Sequence, residues 1–294
     1  MANFLHVLTF IFLIPAAVPQ AQVPANEQKT TLSSVFGVFD KEDQPIPDLK
    51  KEQFSITDDG QPAEVVAFES STKIPLRLGI LIDSSKSSGG YLVNEKKAAT
   101  FLAEHVVHSA ADRAFVLAFD QVWDIVQDFT SDAGSLTQKI DGIRPGGGTA
   151  VWDVVYYACR EKLRGQPTDG LVRRVIILLT DGNDNMSHVT HKEAFTMALR
   201  AGVTVYIIAP EANKAEDTLR KLAASTGGEA FFPGKPAEWA AAVNHIKGDI
   251  ENQYLVTYTR TAPASNAEFH NLKIKVNDPT LKVRSPLGYF SPKP

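Results

Sequence analysis

The chain has 294 residues, 44% apolar and 22% charged, with a formal net charge of −4 and a pI near 6.0. That composition fits one or two globular domains with a sizeable core, and it lacks the basic surplus that holds a phosphate backbone, so nucleic acid is excluded as the main partner. A single cysteine, Cys159, excludes an internal disulfide framework and any multi-cysteine zinc or iron–sulfur site.

Residues 4–18 read FLHVLTFIFLIPAAV, an apolar run with no charge, and small residues follow at Ala21 and Ala25. The run is short for a bilayer span and has the shape of a secretory signal peptide, although no Lys or Arg precedes it. The expectation is a signal segment over 1–25 and a mature chain outside the cytosol; an uncut N-terminal anchor is the alternative. No later stretch is long and apolar enough to span, so no transmembrane segment is expected after signal removal.

Residues 26–73 form an N-terminal β segment. TLSSVFGVFD alternates at period two, residues 43–48 carry turn chemistry, and short strands are expected at 54–60 and 64–68. From 74 to 250 the pattern changes. LRLGILI at 76–82, VIILL at 175–179 and the run at 203–209 read as strands buried on both faces. Another strand is expected at 115–119, with 122–126 as its hairpin partner, and a short one at 230–232. Helical periodicity covers 92–109, with Val93, Ala98, Phe101, Leu102, Val106 and Val107 as the apolar face. Further helices are expected at 136–143, 150–163, 192–201 (ended by Gly202), 215–224 and 238–250. This alternation predicts an α/β fold: a doubly wound, mostly parallel central sheet with helices on both faces. Residues 251–294 return to alternating strands at 254–259, 271–276 and 281–284. A sheet of two or three strands is marginal alone. The two flanks are therefore expected to pack together as one small β unit, with the α/β domain inserted between them; two separate tails on that domain are the alternative.

Ligands of open α/β sheets sit beyond the carboxyl ends of the strands. After 76–82 comes Asp83-Ser84-Ser85-Lys86-Ser87, in which an extended loop would turn alternate side chains to one side. After 136–143 comes Arg144-Pro145-Gly146-Gly147-Gly148-Thr149, glycines that permit close backbone approach and a hydroxyl at a helix start. After 175–179 comes Thr180-Asp181-Gly182. Asp83, Ser85, Ser87, Thr149 and Asp181 are all oxygen donors, a set that suits Mg²⁺, with Mn²⁺ or Ca²⁺ possible in its place, and not zinc or copper.

These motifs resemble those of von Willebrand factor type A domains, the integrin I-like family. DSSKS is similar to its D-x-S-x-S, GGGTA to its glycine-preceded threonine and TDG to its third motif, in family order over roughly residues 74–250. The resemblance implies a metal-ion-dependent adhesion site (MIDAS) at the five residues, completed by an acidic residue of a protein partner. The flanks, with Asp40, Pro47-Asp48-Leu49, Phe54, Asp58-Asp59-Gly60, Gln253-Tyr254 and Gly288-Tyr289-Phe290, resemble secreted proteins of this family known mainly from acidobacteria.

Other chemistry is poorly supported. The glycine run has no phosphate-loop or dinucleotide motif around it, so no nucleotide is expected. The pairs His188/His191 and His105/His108 lack a third zinc ligand, Ser84–Ser88 has no nucleophile elbow, Asp184 reads as a turn residue, Asp153 as a helix-start carboxylate and Cys159 as core. The function expected is an exported, metal-dependent protein-binding module and not an enzyme. A metal-assisted hydrolase, or a structural envelope protein with a stabilising metal site, is the alternative. Oligomeric state is not readable from the sequence.

Overall fold

Two sheets carry the chain. A computed structural model describes residues 29–165, 171–210, 215–261 and 269–291; the signal-like segment at 1–25 lies outside them. In chain order the first flank supplies β1 (Lys29–Phe39), β2 (Phe54–Asp58) and β3 (Gln61–Ser70). The middle supplies β4 (Leu76–Asp83), α1 (Leu92–Val106), β5 (Arg113–Phe119), β6 (Trp123–Thr130), α2 (Ala133–Gly142), α3 (Val151–Tyr157), β7 (Arg173–Leu179), α4 (His191–Ala201), β8 (Val203–Ile208), α5 (Glu216–Ser225), β9 (Ala230–Phe231) and α6 (Pro236–Asn252). The second flank adds β10 (Tyr254–Thr261), β11 (Phe269–Val276), β12 (Lys282–Arg284) and β13 (Gly288–Phe290).

The middle sheet runs β6-β5-β4-β7-β8-β9, parallel throughout except for β6, which returns antiparallel along β5. Its inner strands are apolar at nearly every position because both faces are covered. Leu78, Ile80, Val175 and Ile177 face α1, α2 and α6, whereas Leu81, Ile176 and Leu178 face α3, α4 and α5. The flanks meet in an antiparallel sheet, β12-β1-β10-β3-β2-β11-β13, in which β10 lies between β1 and β3, and β11 pairs with β2. Phe36, Phe54, Phe68 and Tyr254 stack inside it. The α/β domain is thus inserted in a β unit built from both flanks. No helix among the described residues is long and apolar enough to cross a membrane.

Four local expectations change. The buried face of α1 is Leu92, Glu95, Ala98, Ala99, Leu102, Ala103 and Val106, while Val93 is 63% exposed. The helix at 150–163 stays α-helical only to Tyr157; Ala158–Leu163 widens to π geometry, with Arg164 N donating to Cys159 O at 3.0 Å. That turn keeps Cys159 and Leu163 buried while Lys162 lies over the Phe129 ring and pairs with Asp128. The hairpin strand runs on to Thr130, and β13 forms where the sequence shows only three residues of strand character. Gly202 ends α4 with φ 61°, the left-handed conformation expected of a glycine at a helix C-terminus.

Candidate functional site

The connections from β4 and β7 leave to opposite sides of the sheet, β4 toward β5 and β7 toward β8, so a crevice opens beyond their carboxyl ends. Three loops close over it and are tied in a ring. Gly146 N donates to Ser84 O at 2.5 Å and Lys86 N to Gly147 O at 3.1 Å, joining the serine loop to the glycine loop. Thr149 N donates to Asn185 Oδ1 at 3.0 Å, and Asn185 N and Met186 N both donate to Thr149 O at 3.0 Å, joining the glycine loop to the loop after β7. Thr180 Oγ1 donates to Asp83 Oδ2 at 2.6 Å and closes the ring. Asp120, in the β5–β6 hairpin, accepts from Gly147 N at 2.7 Å and holds the glycine loop from outside.

The five sequence-predicted residues stand along this ring. Asp83 is fully buried, with Oδ1 accepting from Ser85 N at 2.9 Å. Ser85 is buried and Ser87 is exposed, and their hydroxyls lie 3.1 Å apart. Their convergence does not come from an extended loop. Residues 85–87 form a tight turn, with Ser87 at φ −66° and ψ −37°, that leads into a helical turn at Ser88–Gly90. Asp181 is buried at the start of the loop after β7, its Oδ1 accepting from Asn183 N at 2.9 Å. Thr149 is fully buried but does not cap α3. Asp184 and Ser187 do, both accepting from Trp152 N, so Asp184 is a capping residue and not merely a solvated turn.

Two features of the crevice bear on whether it fits a cation. Burial pushes the Asp83 carboxyl up from 3.8 to about 6, against the hydrogen bonds from Thr180 and Ser85 and with the Asp181 charge adding to the rise. The Thr149 hydroxyl oxygen is buried with no hydrogen-bond partner among the described residues. A buried hydroxyl left unpaired is costly, and so is the repulsion between the Asp83 and Asp181 charges. A hard divalent cation relieves both at once, and the donors are all oxygen, so these residues fit such an ion.

The profile of the von Willebrand factor type A domain matches residues 78–244. The chain belongs to that family. Among solved structures, proximal thread matrix protein 1 from the mussel byssus shares the fold with a TM-score of 0.53 at 16% identity, over 66% of this chain and 49% of that one. The same mussel protein with a zinc-occupied MIDAS motif gives a TM-score of 0.51 at 18% identity, over 60% and 48%. This chain therefore spans about half the length of the mussel protein. The type A domain of the pilus tip protein Mfa5 from Porphyromonas gingivalis gives a TM-score of 0.47 at 17% identity, over 59% and 94%. No curated protein matches the sequence.

Around the five motif residues of this type A domain stand four that the sequence reading missed: Thr180, which grips Asp83; Asn185, which grips Thr149; Asp120, which anchors the glycine loop; and Glu95, buried on α1. Only Glu95 had a usable signal, a charged residue at the i, i+3 spacing of its helix's buried face. Asp153 at the start of α3 accepts from His188 N, Val189 N and the His188 ring, a structural role. Two carboxylate–histidine clusters also occur, Asp58/Asp59/His270 and Glu229/His245/Asp249. Each already holds a guanidinium: Arg260 lies 3.0 Å from Asp58 and 2.8 Å from His270 Nδ1, and Arg284 lies 2.8 Å from Glu229 and 2.9 Å from Asp249.

Proposed function

We propose that this protein is an exported binding module that holds a divalent cation on Asp83, Ser85, Ser87, Thr149 and Asp181 and presents it to an acidic residue of a protein partner. The observation that carries the reading is the Thr149 hydroxyl, buried with no hydrogen-bond partner among the described residues, in a loop tied to those that carry the buried Asp83 and Asp181. An oxygen-only set selects Mg²⁺, Mn²⁺ or Ca²⁺, and Mg²⁺ is the ion we assign. When bound, the cation supplies an electrophilic position that takes up a partner's carboxylate. The chain's own residues do the rest. Thr180 and Ser85 N fix the Asp83 carboxylate, the ring of loop hydrogen bonds holds the donors in place, and Ser87 stands at the exposed mouth. Exposed Tyr91 and Met186, next to the serine loop and to Thr149, give apolar contact surface beside the site. Export rests on the apolar run at 4–18.

The test is retention of partners from the source organism's extracellular fraction on immobilised protein in Mg²⁺. Partners released by EDTA and not retained by Asp83→Ala support the reading. Retention indifferent to both EDTA and the substitution contradicts it.

A further inference from the structure

Glu95 sits on the buried face of α1 among Leu92, Ala98, Ala99 and Leu102, with no exposed surface. An aliphatic side chain there would cost nothing in desolvation, whereas a buried carboxyl must be compensated. Its compensation is specific. Ser88 Oγ donates to Glu95 Oε1 at 2.8 Å, and Glu95 Oε2 has no hydrogen-bond partner among the described residues. Ser88, itself fully buried, donates its backbone N–H to Ser85 Oγ at 3.3 Å, and Ser85 Oγ lies 3.1 Å from Ser87 Oγ. A continuous line therefore runs from α1 through Ser88 to the two serine hydroxyls. Burial holds the Glu95 carboxyl well above the usual carboxylate range, and the charges on Asp83 and Asp181 add to the rise.

We propose that Glu95 is a positioning residue of the cation site: by anchoring Ser88 to helix α1 it holds the Ser85 and Ser87 hydroxyls in their binding arrangement. The proposal rests on the cation-site reading above. Residues behind the direct ligands of a metal set ligand orientation, and removing them costs affinity without removing a donor. Buried polar links of this kind also select one loop conformation among several.

The experiment is Mn²⁺ titration of the full chain, read by calorimetry and by the electron paramagnetic resonance of free Mn²⁺. Glu95→Ala and Ser88→Ala each raise the Mn²⁺ Kd by about tenfold or more, the usual cost of losing a residue behind the ligands. Glu95→Gln keeps an oxygen that accepts from Ser88 Oγ and stays within about threefold of the wild-type Kd, below that cost. Melting in EDTA establishes that each variant is folded, and Ser88→Ala carries the test if Glu95→Ala does not fold. Wild-type affinity in Ser88→Ala, or a Glu95→Gln variant as weak as Glu95→Ala, overturns the positioning role; the second result would assign the effect to charge. A wild-type chain that binds no Mn²⁺ overturns the cation-site reading itself, a result distinct from either.

Discussion

Asp83 ties stability to pH in a direction opposite to most carboxylates. Its folded value is about 6 and its unfolded value 3.8, so the folded chain favours the protonated form. The stability from this group is fully present below about pH 4 and is lost as pH rises through about 6, with a size on the order of 3 kcal/mol. Asp249, also raised to about 6 by burial against its pairing with Arg284, works in the same direction. In EDTA the contribution of these two groups therefore makes melting temperature fall from pH 5 to pH 7, and Asp83→Asn flattens that slope. A cation needs the carboxylate, so the melting increment produced by Mg²⁺ shrinks as pH drops below about 6. A metal increment that is constant from pH 7 to pH 5 would contradict this account of Asp83.

The glycine loop between α2 and α3 decides whether the three loops can meet. A methyl group at Gly146 would overlap the Asp120 carboxylate, and one at Gly148 would lie 2.7 Å from Met186 Cγ. Gly146→Ala is expected to cost about 1–3 kcal/mol through overpacking and to weaken Mn²⁺ binding, because the Gly147–Asp120 and Gly146–Ser84 bonds must shift. Gly142→Ala, where a methyl meets nothing within 4 Å, is the control and changes neither. Denaturant melts and Mn²⁺ titration of both variants check this. The sequence made β4, β7 and β8 legible because strands buried on both faces are apolar at every position. The five candidate residues could be singled out because each lies at or just beyond an expected strand end or helix start. The sequence did not reveal Thr180, Asn185 or Asp120, ordinary polar residues whose roles depend on which loops become neighbours. Nor did it reveal that a turn, and not extended alternation, brings Ser85 to Ser87. Strand β13 escaped because its three residues are defined by pairing with β11, not by a pattern of their own.

The joint between the two sheets is centred on Arg284. This side chain from β12 reaches the α/β domain, where it donates to Asp249 Oδ2 at 2.9 Å and pairs with Glu229 at 2.8 Å, while its guanidinium lies 4.0 Å from the centre of the Phe39 ring of β1. A backbone bond adds a second tie, Leu287 N donating to Ser225 O at 3.0 Å at the end of α5. Arg284→Ala leaves Asp249 buried beside Glu229 with His245 as the one remaining cationic partner among the described residues, and a broken buried pair of this kind costs about 3–5 kcal/mol at most. Urea unfolding followed by tryptophan fluorescence and circular dichroism is expected to show a lower midpoint. A variant as stable as the wild type would mean that the remaining contacts, among them Leu287 N to Ser225 O and the Thr226–Pro286 bridge, hold the flanking unit without Arg284. Arg284 lies 35 residues from Asp249 and 55 from Glu229, separations no local sequence pattern encodes.

A divalent cation on the five loop oxygens is checked by thermal unfolding of the protein at pH 7 in EDTA, Mg²⁺, Mn²⁺ and Ca²⁺, beside Asp83→Ala. A ligand bound by the folded state alone raises the melting temperature with its concentration. Such a rise is expected in the wild type and none in Asp83→Ala. Identical melting in EDTA and in millimolar divalent cation, or a rise that survives in Asp83→Ala, would contradict that expectation.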